Sequence, residues 1–162
     1  MSEPAPHQIR LAQPRDARSV LRLGEATFVP ASAQLGAVDW ARRIDFAGFA
    51  YSGRLWVLEL DRKIVGMIYL IGEPARLEIF ALAVSPEFQR RGFGRALIEF
   101  AEREAHRREV GELCLQTPVQ FLEAIAFYQR LGFVEAEQAE LEGVRLLRLT
   151  KAVTGGATAP RP

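Results

Sequence analysis

Apolar residues recur along the chain with two different spacings. In seven stretches, apolar residues alternate with polar ones or form short runs, which is typical of β-strands. In four others, apolar residues recur every three or four positions, as on one face of a helix. The predicted strands are residues 8–13, 54–60, 63–71, 76–84, 112–117, 133–140 and 144–151. The predicted helices are residues 14–28, 38–49, 94–110 and 121–132. This order predicts a mixed α/β sheet with helices on both faces.

Turn residues and the two ends of the chain define the predicted domain. Asp61 and Arg62 separate two strand patterns and predict a hairpin, and Gly132 stands where a helix C-terminal cap is expected. Residues 1–8 and 154–162 are rich in proline, glycine and small residues, so we expect two disordered tails. Residues 9–153 are predicted to form a single domain.

Composition and charge limit the classes of function. The chain has 162 residues, of which 49% are hydrophobic and 25% charged, as in an ordinary globular protein. Its net charge of +1 gives no general attraction to nucleic acid or to an anionic membrane. No apolar stretch is long enough to span a membrane, and the first residues lack a signal-peptide pattern. We therefore expect a cytoplasmic protein with neither a nucleic acid nor a membrane as partner.

Residues that bind metals or form disulfides are few. The single cysteine, Cys114, excludes an internal disulfide and is expected to be buried in a strand. His7 lies in a predicted tail and His106 in a charged helix, and no His, Cys or Asp cluster has metal-ligand spacing. The sequence therefore predicts no metal site.

The stretch VSPEFQRRGFGRAL, residues 84–97, carries the strongest chemical signal. Glycines that precede a helix let a ligand approach the backbone, and the first helical turn offers unpartnered N–H groups to a phosphate. Leu97 occupies the place of the third glycine of a Rossmann motif, and the P-loop pattern is absent. A charged helix start, a phosphate site and a surface loop without a ligand remain as three interpretations.

Two motifs in this order resemble the GCN5-related N-acetyltransferase (GNAT) superfamily. The first is Q-x-x-G-x-G at residues 89–94, and the second is AIAFYQRLGFVE at residues 124–135. The resemblance extends from Ile9 to Thr150. It implies the GNAT fold, a mixed and mostly antiparallel sheet of about seven strands that is splayed between strands 4 and 5.

The resemblance also implies acetyl-CoA as co-substrate and a set of residues that bind it. The backbone of the fourth strand would pair with the pantetheine arm, in the gap before the fifth strand, through Leu82, Ala83 and Val84. The amides of the following loop would hold the pyrophosphate. The residues of this loop are Gln89, Arg90, Arg91, Gly92, Phe93, Gly94 and Arg95.

Two residues are implied as catalytic. Tyr128 matches the family tyrosine that protonates the leaving thiolate; alternatively, it belongs to a core stripe with Phe121 and Ile125. Glu78 matches a glutamate that takes the proton of the amine; alternatively, it is an outward-facing strand residue paired with Arg76.

One position departs from the family pattern. In the family an asparagine often contacts the cofactor where this chain has Phe121, and Thr117 or the backbone beside it could take its place. This leaves the contacts on one side of the pantetheine open, whereas the pyrophosphate site does not depend on it.

The implied function is acetyl transfer to a primary amine by direct attack in a ternary complex. The acceptor is a small-molecule or peptide amine, and a homodimer is possible. Three acidic residues on the segments expected to cover the acceptor, Glu25, Asp39 and Asp45, hint at a cationic substrate. The alternatives are a coenzyme A-binding sensor or interaction domain with little turnover, and a structural module in which the glycines serve only a turn.

Overall fold

The computed structural model describes residues 5–36 and 40–153. Its strands and α-helices follow one another in the predicted order. The strands are β1 (Gln8–Leu11), β2 (Leu55–Leu60), β3 (Lys63–Gly72), β4 (Leu77–Val84), β5 (Glu112–Pro118), β6 (Val134–Leu141) and β7 (Val144–Ala152). The helices are α1 (Ala17–Gln34), α2 (Phe46–Phe49), α3 (Phe93–Arg107) and α4 (Leu122–Arg130).

The seven strands form one mixed sheet in the order β1-β2-β3-β4-β5-β7-β6. The neighbours β1–β2, β2–β3, β5–β7 and β6–β7 are antiparallel. The strands β4 and β5 are parallel and pair from Leu77–Leu113 to Ile79–Leu115. This topology, with a splay between strands 4 and 5, confirms the predicted fold class.

Two helices differ from the prediction. The first continues six residues beyond Phe28, through Pro30, to Gln34. Pro30 has no N–H, so the Ala26 carbonyl loses its hydrogen bond within the helix. Because Ala26 and Pro30 are both exposed, water can bond to this carbonyl instead. The predicted helix 38–49 is wrong in extent, because a 3₁₀ turn at Ala41–Arg43 precedes the single turn of α2. The first part of that prediction lies outside the described residues.

The described residues group into two compact units. The first comprises residues 5–36, 40–70 and 81–98. Its core includes Val20, Leu55 and Met67, none of them more than 1% exposed. Gly24 lets α1 approach the Phe46 ring, because a Cβ at this position would stand 2.4 Å from that ring.

The second unit comprises residues 71–80 and 99–153. Fully buried side chains of β5 and β7, among them Leu113 and Leu149, form its core. A Glu102–Lys151 ion pair joins α3 to β7. Most of the two predicted tails lies outside the described residues, but β1 already begins at Gln8.

Candidate active site

The loop after β4, taken together with the first three residues of α3 as residues 85–95, is fixed to the sheet at its start. The Ser85 amide donates to the Val65 carbonyl of β3 over 2.8 Å. The side-chain amide of Gln89 donates to the Val84 carbonyl over 2.9 Å, so it closes the loop back onto the end of β4. Gln89, the first residue of the motif, therefore shapes the loop with its side chain.

Two residues of this loop have an unusual backbone conformation. Arg90 and Gly92 both have left-handed backbones, with φ of 63° and 87°. At the start of α3, the Ala96 amide donates to the Gly92 carbonyl over 3.0 Å. The amides of Phe93 and Gly94 therefore precede this hydrogen bond and are available to an anion, beside the positive end of the helix dipole.

The side chains of the loop divide into an anchor and a basic rim. Phe93 is 1% exposed and meets the His7 ring edge-on at 5.7 Å, so only its backbone can serve a ligand. The guanidinium of Arg91 and the ammonium of Lys63 lie 5.1 Å and 5.3 Å from the centre of the Phe88 ring. Two cations thus converge on one aromatic ring of the loop.

Lys63 is a residue that the sequence analysis missed. It is the first residue of β3, far from the loop in sequence, and a lysine at the start of a strand carries no signal of a distant contact. Glu87 lies 4.0 Å from its ammonium, and both side chains are well exposed, so this ion pair leaves the rim predominantly basic.

The predicted pantetheine-pairing residues lie at the end of β4, just before the loop. Ala83 and Val84 are buried and Leu82 is half-buried. The Val84 carbonyl already accepts the Gln89 hydrogen bond, which leaves one lone pair of that oxygen for another donor. The β4 backbone as the partner of pantetheine stays a prediction.

In the second unit, Tyr128 lies on α4 between two aromatic neighbours. Its ring meets those of Phe127 and Phe133 edge-on, with centres 5.2 Å and 5.6 Å away. Burial raises the pKa of the Tyr128 phenol to about 12, which keeps it protonated at neutral pH. The ring is thus half-buried among aromatic neighbours, and the phenol carries the proton that a donor needs.

Glu78 is half-buried on β4, and its Cα pairs with that of Cys114. Burial raises the pKa of the Cys114 thiol, and the charge of Glu78 raises it further. Arg76, the alternative partner of Glu78, instead donates to Glu73 over 2.8 Å and lies 3.8 Å from Glu112.

The remaining predicted positions have structural roles or lie outside the described residues. Phe121 caps the start of α4, where its amide donates to the Pro118 carbonyl, and Thr117 is buried in β5. Asp45 accepts a hydrogen bond from the Gly48 amide and so caps α2. Glu25 is exposed on α1, whereas Asp39 lies outside the described residues.

In residues 5–36 and 40–153, no three His, Cys, Asp or Glu side chains are grouped as metal ligands. No helix in the same ranges is long and apolar enough to cross a membrane.

Several solved structures share this architecture. Ribosomal-protein-S18-alanine N-acetyltransferase from Escherichia coli matches 95% of this chain and 99% of its own, with a TM-score of 0.72 at 22% identity. The PaiA N-acetyltransferase from Thermoplasma acidophilum, solved with coenzyme A, matches 91% of this chain and 99% of its own. Its TM-score is also 0.72, at 16% identity. At these identities the two matches show the fold alone.

Sequence relatives match shorter regions. The Escherichia coli K12 [Ribosomal protein bS18]-alanine N-acetyltransferase is 45% identical over 58 residues, which cover 36% of this chain and 39% of that protein. Human N-acetyltransferase 8 is 33% identical over 90 residues, which cover 52% of this chain and 40% of that protein. The chain thus spans about two fifths of the length of these curated relatives.

A match to a protein-family model determines the family of this chain. The model described as an acetyltransferase (GNAT) domain matches residues 51–135, which is just over half of the chain. That range contains the loop after β4, all of α3 and α4, and both sequence motifs. The chain therefore belongs to the GNAT family of acetyltransferases.

Proposed function

We propose that this protein is an N-acetyltransferase that transfers the acetyl group of acetyl-CoA to a primary amine by direct attack in a ternary complex. The observation that carries the proposal is the backbone of the loop after β4. Its two left-handed residues, Arg90 and Gly92, lead directly into the N-terminus of α3, where backbone donors can hold a phosphate.

The residues of the loop fit the pyrophosphate of acetyl-CoA. The amides of residues 89–95 would hold it, and Arg90 and Arg91, both exposed, would neutralise its charge. Gly92 has no Cβ that could stand between its backbone and a ligand. The β4 backbone at residues 82–84 would pair with the amide groups of the pantetheine arm.

Of the two catalytic groups, one would accept a proton and the other would donate one. An ammonium has no lone pair, so the acceptor must lose a proton before it attacks, and the Glu78 carboxylate would accept this proton directly or through a water. Thioester aminolysis expels a thiolate, and the Tyr128 phenol would supply the proton that this thiolate takes up. A pKa of about 12 keeps Tyr128 in its proton-donating form across the physiological range.

The name of one sequence relative indicates which amines to test first. That relative is a [Ribosomal protein bS18]-alanine N-acetyltransferase, so the acceptor in its name is an alanine of a protein. We therefore propose the terminal amine of a peptide as the first acceptor class, and small-molecule amines as the second.

Calorimetric titration tests the proposed co-substrate. The protein is titrated with acetyl-CoA, with coenzyme A and, as a control nucleotide without pantetheine, with NADH. We expect binding of the first two only. Failure of acetyl-CoA and coenzyme A to bind would refute the assignment of the loop.

A second experiment tests turnover. Release of the coenzyme A thiol is followed with peptides that begin with a free alanine, with the same peptides after N-terminal acetylation, and with a panel of small amines. Thiol release that requires the free amine would support the proposal. Binding without turnover on any amine would favour the coenzyme A-binding sensor instead.

A further inference from the structure

The strand β6 is exposed along its entire length. All eight of its residues, Val134–Leu141, are exposed, although such a strand has two faces of which one is normally covered. The side chains at its two ends, Val134 and Leu141, are 61% and 63% exposed. Both faces of this strand are therefore accessible to another molecule.

The outer edge of β6 is also open. This strand ends the order of the sheet, so in the described part of the chain only β7 pairs with it. An open edge offers a row of N–H and C=O groups that can pair with an added strand. A bulge interrupts the register between Glu135 and Glu137, and the pairing then runs regularly from Glu137–Arg148 to Leu141–Val144. Residues 137–141 therefore form a regular edge with neither proline nor lysine to block it.

The charge of this edge determines which strand it can accept. Residues 134–143 contain four glutamates and no lysine or arginine. Glu137 pairs with Arg148 over 3.0 Å, whereas Glu135 and Glu140 form no ion pair with any residue that the structure describes. A second copy of β6 would bring a second strand of the same negative net charge against this edge, which disfavours self-pairing. A basic strand would meet complementary charges instead.

We propose that the outer edge of β6 binds an extended, lysine- or arginine-rich segment of a partner protein as an additional strand of the sheet. Main-chain hydrogen bonds to residues 137–141 hold the segment, and its cations face Glu135 and Glu140. This binding does not depend on the proposed acetyl transfer, since it involves neither the loop after β4 nor Tyr128.

The test uses a defined probe in the absence of acetyl-CoA. The probe is a fluorescent, end-capped peptide, Lys-Val-Lys-Lys-Val-Lys, whose binding is measured by fluorescence anisotropy at low salt. A second peptide with the same side chains carries N-methyl groups on alternate amides, which prevents strand pairing and preserves the charge. We expect the N-methylated peptide to bind about tenfold more weakly.

Charge-reversal variants test the position of the binding site. Glu135→Lys with Glu140→Lys should weaken probe binding by about tenfold or more. Glu109→Lys with Glu123→Lys changes the net charge equally at exposed positions outside β6, and it should preserve binding. Equal binding of the two peptides, or equal losses in both double variants, would reduce the interaction to non-specific charge attraction and overturn the proposal.

Sedimentation equilibrium tests the competing occupant. We expect no dimer that depends on β6. A dimer that dissociates in the Gln138→Pro variant, together with no binding of the probe, would assign the edge to a second copy and overturn the proposal.

Discussion

The loop after β4 and the segment from α4 to Phe133 each carry one of the two family motifs, but they hold their motif residues differently. In the loop the backbone determines the site: left-handed residues and one side-chain bond, from Gln89 to Val84, shape it, while its arginines are exposed. In the α4 segment the packing determines the site, because Tyr128 lies between Phe127 and Phe133.

Because one site is formed by the backbone and the other by packing, we expect the two motifs to respond differently to mutation. A substitution at an exposed position of the loop, such as Arg90 or Arg91, changes the surface offered to a ligand and leaves the core in place. A substitution near Tyr128 changes the core and the candidate proton donor together. Binding and stability should therefore separate in the first region and remain coupled in the second.

The largest expected effect is that of Gly92→Asp. A carboxylate at this place repels the pyrophosphate, and a side chain at a φ of 87° is strained. We expect affinity for coenzyme A, measured by calorimetry, to fall by about a thousandfold or more, with about 1 kcal/mol lost in stability.

Gly143→Asp is the matched control for Gly92→Asp. Gly143 has a φ of 81° in the turn between β6 and β7, with no atom within 4 Å of an added Cβ. It should show the same loss of stability with unchanged affinity. Normal coenzyme A binding by Gly92→Asp would refute the role of the loop.

Tyr128→Phe should have the next largest effect. The variant keeps the ring packing and loses the proton donor, so we expect kcat to fall roughly a hundredfold while coenzyme A affinity is unchanged. Because the pKa of Tyr128 is about 12, kcat of the wild type should show no alkaline loss from this residue up to about pH 10. A Phe variant with the wild-type kcat would remove Tyr128 from the mechanism.

The smallest expected effect comes from a pair of matched aromatic substitutions. Phe133 is 2% exposed and contacts the Tyr128 ring, so Phe133→Leu should lower the free energy of unfolding by about 1.5 kcal/mol and also reduce kcat. Phe88 is half-buried in the loop, so Phe88→Leu should cost less than about 0.5 kcal/mol. Denaturant unfolding of both variants gives the comparison, and equal losses would contradict it.

The sequence predicted the order of strands and helices because alternation and helical spacing are local signals. It also found the loop motif, since glycines and arginines before a helix have a direct chemical meaning. It missed the continuation of α1 through Pro30, because the local cost of a proline can be met by solvent at an exposed position.

Other features of the candidate site depend on contacts that are distant in sequence or on single backbone angles. The left-handed backbone of Arg90 is unusual for a residue with a Cβ and has no sequence signature. Lys63 reaches the Phe88 ring from another hairpin, and Asp45 is used as a helix cap. The sequence was enough to locate the motifs. Only the structure shows which parts of the site are formed by the backbone and which by side chains.

The burial of Cys114 has a practical consequence for work on this protein. Its side chain is inaccessible to solvent and burial raises the pKa of its thiol, so it reacts slowly with disulfide reagents, which require a thiolate. Because the chain has no other cysteine, a colorimetric reagent would report the thiol of coenzyme A with little background. A cysteine introduced at an exposed position would likewise be the single reactive handle for a fluorophore, with no need to remove the native one.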